Sequence, residues 1–90
     1  LLKKEFMVNT SGQQISATYD RIYNIEAGCA IVETDYKKGV INKKGEETIP
    51  PHYKNIMINK NGTIWYQEDK LWGLFKQDGQ KIINPILKLH

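Results

Sequence analysis

A chain of 90 residues has room for one small domain with a modest core, which excludes a large enclosed pocket. Hydrophobic residues at 40% and charged residues at 26% match a folding chain, and apolar runs such as Ile31-Val32 and Ile64-Trp65-Tyr66 fall far short of the roughly 20 residues a membrane-spanning helix needs. The net charge of +3 divides into +2 over residues 1–45 (seven basic, five acidic) and +1 over residues 46–90 (six basic, five acidic), so there is no basic stripe of the kind that binds nucleic acid.

The first residues, Leu1-Leu2-Lys3-Lys4, lack the basic-then-apolar order of a signal peptide, and localisation stays open. Next, Phe6-Met7-Val8 and Gln13–Ser16 flank Asn9-Thr10-Ser11-Gly12, a loop predicted to end in a left-handed glycine and to join two β-favouring arms. Tyr19-Asp20-Arg21-Ile22 follows, with an aromatic three residues before an isoleucine. The stretch Ile22–Glu33 then reads as a second type of hairpin, with Gly28 at its turn and Cys29-Ala30-Ile31-Val32-Glu33 as its outgoing arm.

From Lys38 the pattern returns. Val40-Ile41, the loop Asn42-Lys43-Lys44-Gly45 and Glu46–Ile49 repeat the first hairpin, with Gly45 in the place of Gly12 at an offset of 33 (45 − 12). Pro50 and Pro51 lack amide hydrogens and are expected to end the ladder and turn the chain. Tyr53-Lys54-Asn55-Ile56 matches Tyr19–Ile22, and Ile56–Gln67 matches Ile22–Glu33, with Asn61-Gly62 as a direct two-residue hairpin signal.

The third pass is the clearest. Trp72-Gly73-Leu74-Phe75, a loop ending in Asp78-Gly79, the arm Gln80–Ile83 and Pro85 lie over their counterparts, Gly73 on Gly39 and Gly79 on Gly45, both at an offset of 34 (73 − 39 and 79 − 45). Leu87-Lys88-Leu89 fills the place of the tyrosine segment. No helical three-to-four spacing runs for ten residues, so the predicted fold is all-β: an antiparallel β-meander of about two and a half hairpin repeats of about 34 residues. The whole chain, 1–90, reads as one β-repeat domain with units at 5–37, 38–71 and 72–90. Either it continues a longer array or its last hairpin closes the sheet against Leu1–Gly12.

With these units in place the chain resembles the WG-repeat family of bacterial proteins, whose units join a Trp-Gly to two apolar residues, a turn ending in glycine, an apolar arm ending in proline and then a tyrosine. Trp72-Gly73-Leu74-Phe75, Asp78-Gly79, Ile82-Ile83 and Pro85 fit that order, and Lys38-Gly39-Val40-Ile41, Gly45, Ile49-Pro50-Pro51 and Tyr53 fit all but the tryptophan. The first unit, beginning Glu5-Phe6-Met7-Val8, lacks both residues of the name. The resemblance implies a β-repeat architecture that serves as an interaction module, and it brings no catalytic residues with it.

Side-chain chemistry agrees with a non-catalytic role. His52 and His90 have no second ligand at metal spacing, Cys29 alone forms no disulfide framework, and Glu46-Glu47 and Glu68-Asp69 are neighbours that a strand turns to opposite faces. The glycines sit singly with no helix after them, and no cofactor site is expected. Candidate contact residues are Ile31, Trp65 and Tyr36. Period-two alternation sends Ile64 and Tyr66, with Ala30 and Val32, toward the core, and leaves Ile31 and Trp65 on a half-covered second face that offers an interaction patch. Tyr36, beside Lys37-Lys38, offers a stacking ring. Trp72 is expected to pack its ring on the core, with Lys38 laying its stem in the equivalent place. The expected partner is another protein or another segment of a longer chain, and the alternative is a glycan or cell-envelope ligand held by exposed aromatics.

Overall fold

The computed structural model describes residues 4–87. Eight strands follow one another: β1 (Arg21–Glu26), β2 (Cys29–Thr34), β3 (Lys37–Asn42), β4 (Glu47–Tyr53), β5 (Asn55–Ile58), β6 (Ile64–Glu68), β7 (Leu71–Phe75) and β8 (Lys81–Leu87). They form two antiparallel four-stranded meanders, β1-β2-β3-β4 and β5-β6-β7-β8. The two are out of phase with the sequence units, each sheet taking the end of one unit and the start of the next. Leu1, Leu2, Lys3, Lys88, Leu89 and His90 lie outside the described residues, so the reading of Lys88 and Leu89 as the tyrosine counterpart does too. Among the described residues β8 pairs with β7 and does not close onto residues 4–12.

The turn glycines adopt the backbone expected of them. Gly12, Gly45 and Gly79 have φ of 81°, 82° and 90°, and each donates its amide to the carbonyl three residues back, at 2.9–3.0 Å. Asn42 adds a local brace, its Oδ1 accepting from the amides of Lys44 and Glu46, and Asn9 does the same for Ser11 and Gln13. The β5–β6 loop is of this same four-residue kind, with Gly62 donating to the Asn59 carbonyl, in place of the two-residue turn expected from Asn61-Gly62. Its counterpart in the first sheet is a two-residue turn, Ala27-Gly28, with both φ positive.

The prolines correct a second expectation. β4 runs through Pro50 and Pro51, and β8 through Pro85. Both are edge strands, where a missing amide hydrogen is tolerated. Both also bulge: Lys38 pairs with Tyr53 and Val40 with Ile49, and Trp72 pairs with Leu87 and Leu74 with Ile83, which places two extra residues on the proline strand each time. The bulged arm folds in toward the glycine opposite. A Cβ at Gly39 would meet the Ile49 carbonyl oxygen at 2.4 Å, and one at Gly73 would meet the Ile83 oxygen at 2.6 Å and the Tyr66 ring at 2.5 Å. The glycine of each Lys-Gly or Trp-Gly pair is therefore required by close approach.

The two sheets pack face to back. The front face of the second sheet supplies Ile56, Ile64, Tyr66 and Phe75, and the back face of the first supplies Cys29, Ile31, Val40 and Ile49, all in one buried cluster. Tyr66 and Phe75 rings stack with centroids 4.1 Å apart, and Tyr53 closes over both. The front face of the first sheet, Ala30, Val32 and Ile41, is covered by Met7 and Tyr19 of the N-terminal segment. That segment keeps the turn of the first unit but only two isolated bridges, Glu5 with Tyr19 and Val8 with Gln14.

Candidate functional site

Sheet register assigns every residue a place in a cross-strand row. In the first sheet Tyr23, Ile31, Val40 and Ile49 pair successively across β1, β2, β3 and β4. In the second sheet Met57, Trp65, Leu74 and Ile83 do the same across β5, β6, β7 and β8. The two rows keep one offset of 34 at every position (57 − 23, 65 − 31, 74 − 40, 83 − 49).

Their fates differ. In the first row Ile31, Val40 and Ile49 are buried in the inter-sheet core and Tyr23 packs half-buried against it. The second points away from it, with Met57 52% exposed and Trp65, Leu74 and Ile83 half-buried. An apolar row reaching across a whole sheet, with no further sheet over it among the described residues, is the most extensive candidate contact surface here.

The sequence-derived contact residues are not brought together. Ile31 is 2% exposed and belongs to the core, which corrects its placement on a half-covered face. The second sheet stacks on it, so β2 is buried on both sides, Ala30 and Val32 against the N-terminal segment and Ile31 against β6 and its neighbours. Trp65 keeps its half-covered position. Tyr36, 88% exposed, sits at the tip of the β2–β3 hairpin, where it and Asp35 both have positive φ. Trp72 is half-buried beside Leu74 rather than enclosed in the core. Leu74, Ile83 and Met57 escaped the sequence reading. Their signal was the constant offset itself, which places each on a position of the first sheet.

Other groups are occupied structurally. Glu47 accepts a 2.6 Å hydrogen bond from the Tyr19 hydroxyl, while Glu46 accepts from Asn42 Nδ2 at 3.0 Å, so the adjacent carboxylates diverge. Burial pushes the Tyr19 phenol above its ordinary value, and the Glu47 carboxylate adds to the shift. Cys29 is buried, with Gln77 Nε2 3.4 Å from its sulfur and the same Nε2 donating to the Ala27 carbonyl. An open groove of about 640 Å³ beside Gln77 is walled by turn residues of both signs, Lys43, Lys44, Glu46, Glu47 and Asp78. Lys4 pairs with Asp20 at the surface. Among the described residues no helix is long and apolar enough to cross a membrane.

Antiparallel four-stranded sheets stacked at a constant sequence period define a β-repeat protein. The chain belongs to the family described as the WG containing repeat, whose model matches residues 7–37 and again residues 39–72. No curated protein and no solved structure gives a match.

Proposed function

We propose that this chain is a non-catalytic β-repeat module that binds another protein, or another segment of a longer chain, through the open face of its second sheet. The observation behind this reading is the apolar row Met57, Trp65, Leu74 and Ile83, whose counterpart in the first sheet packs into or against the inter-sheet core. Half-buried aromatic and aliphatic side chains grouped on a regular surface are the usual material of an interface centre.

The test pairs a melt with retention. A Trp65→Ser, Leu74→Ser chain and a Tyr36→Ser chain are immobilised beside the wild type and exposed to lysate and to insoluble cell-envelope polysaccharide from the source organism. The expected result is that the double variant melts within a few degrees of wild type and loses its protein ligand, while Tyr36→Ser retains it. Retention by the double variant sinks the proposal. Polysaccharide binding lost on Tyr36→Ser instead favours the glycan reading, which the 88% exposure of that hairpin-tip ring supports.

A further inference from the structure

We propose that the partner of this open face is a further sheet of the same repeat type, seated on the second sheet as the second sheet is seated on the first. The inference rests on the reading above and names its occupant. Two independent observations lead to it.

The first is the matched pair of rows. Tyr23, Ile31, Val40 and Ile49 receive the front face of the next sheet, whose Ile56, Ile64, Tyr66 and Phe75 enter the same cluster. Met57, Trp65, Leu74 and Ile83 occupy those receiving positions one period on, and all four are apolar. Had the sheet been built to face water there, period-two alternation would place polar residues in that row. It does so on neither sheet.

The second is a contact between turns and strands. The turn glycines of the second and third units lie on the backbone of the unit before: a Cβ on Gly45 would stand 2.2 Å from the Ile15 carbonyl oxygen, and one on Gly79 would stand 2.0 Å from that of Thr48. Ile15 and Thr48 are half-buried beneath those turns. The next position in the series is Ile82 (48 + 34), which is 47% exposed. A third turn glycine belongs over its carbonyl.

The occupant must bring a free front face and such a turn. A second copy of the chain brings an uncovered turn glycine, Gly12, but no free front face, because its first front face lies under Met7 and Tyr19 and its second is inside the inter-sheet core. The chemistry required is a four-stranded sheet with aromatic and aliphatic residues where this chain has Tyr53, Ile56, Ile64, Tyr66 and Phe75.

The test extends the full chain in register. His90 falls one period after Ile56 (56 + 34), so the sequence of Met57–Leu87 is appended directly after it. Trp72→Phe in the parent, and phenylalanine for both tryptophans of the appended segment, leave Trp65 as the only indole. Acrylamide quenching and thermal melts compare extended and unextended chains. The expected result is at least a threefold fall in the quenching constant with a higher melting temperature. Alanine at the appended counterpart of Gly79 should reverse both.

Unchanged quenching, or an appended segment without β circular dichroism, overturns the proposal. So does concentration-dependent shielding of Trp65 in the unextended chain with a dimer in sedimentation, which makes a second copy the occupant. If Trp65 is not shielded while Trp65→Ser, Leu74→Ser still abolishes ligand retention, this inference falls and the binding function stands. Shielding without any effect of the double variant on retention gives the reverse.

Discussion

Three glycines with nearly equal backbone angles do different work. Gly12, Gly45 and Gly79 all hold left-handed conformations, yet a Cβ on Gly12 meets nothing within 4 Å while those on Gly45 and Gly79 strike backbone oxygen. Gly12→Ala should therefore cost only left-handed strain, about 1–2 kcal/mol. Gly45→Ala and Gly79→Ala add the displacement of a neighbouring unit, about 2–5 kcal/mol together with the strain. Urea melts of the three variants check the order, and equal costs would show that the turns do not rest on the preceding strands. The positive φ values were legible in the sequence, because an N-x-x-G or x-x-D-G loop between β-favouring arms needs a missing Cβ. The stacking contacts were not. They depend on how far apart two units lie in space, and the turn alone holds no record of that.

Among the elements, the strands were read well and their faces less so. Alternation along β6 correctly sent Ile64 and Tyr66 to a core. In β2 the same rule gave Ala30 and Val32 one core and left Ile31 outside, because alternation within one strand cannot report a second layer. The run Cys29-Ala30-Ile31-Val32 did contain the clue: four successive apolar residues mark a strand buried on both faces. The prolines misled in the opposite direction, since a missing amide hydrogen ends a central strand but not an edge strand. These placements separate two mutational costs. Ile31→Ala should lose about 2–5 kcal/mol, as for a closed core site. Trp72→Ala, at a half-buried position that lysine occupies in the other sheet, should lose well under the roughly 3–5 kcal/mol of a buried aromatic. Equilibrium denaturation of the two variants compares them directly.

Across the whole molecule, the phenols tie the layers together and set a limit in base. Burial raises the Tyr19, Tyr53 and Tyr66 phenols above the ordinary value of about 10, with the Glu47 carboxylate adding at Tyr19, Glu68 at Tyr53, and Tyr53 and Glu68 at Tyr66. A raised folded-state value means the folded protein holds its proton where the unfolded chain has lost it. The stabilisation is complete below pH 10 and is lost as pH rises from there. Absorbance at 295 nm against pH should show the Tyr19, Tyr53 and Tyr66 rings ionising late and in step with loss of the β signal by circular dichroism. Early ionisation of these three rings in a still folded protein would contradict the packing.

The phase difference between sequence unit and sheet bears on how such a chain changes length. Strand pairings stay within a sheet, and the sheets recur at one fixed period whichever position the count begins from. An exchange between two misaligned copies of the coding segment therefore needs no particular breakpoint. Any cut restores the same ladders, provided that the insertion or loss is a whole period. A slip of one residue is the forbidden change, since it turns every row of the sheet to its other side. Duplication at any point lengthens the stack by one layer and leaves its outermost face chemically as it was.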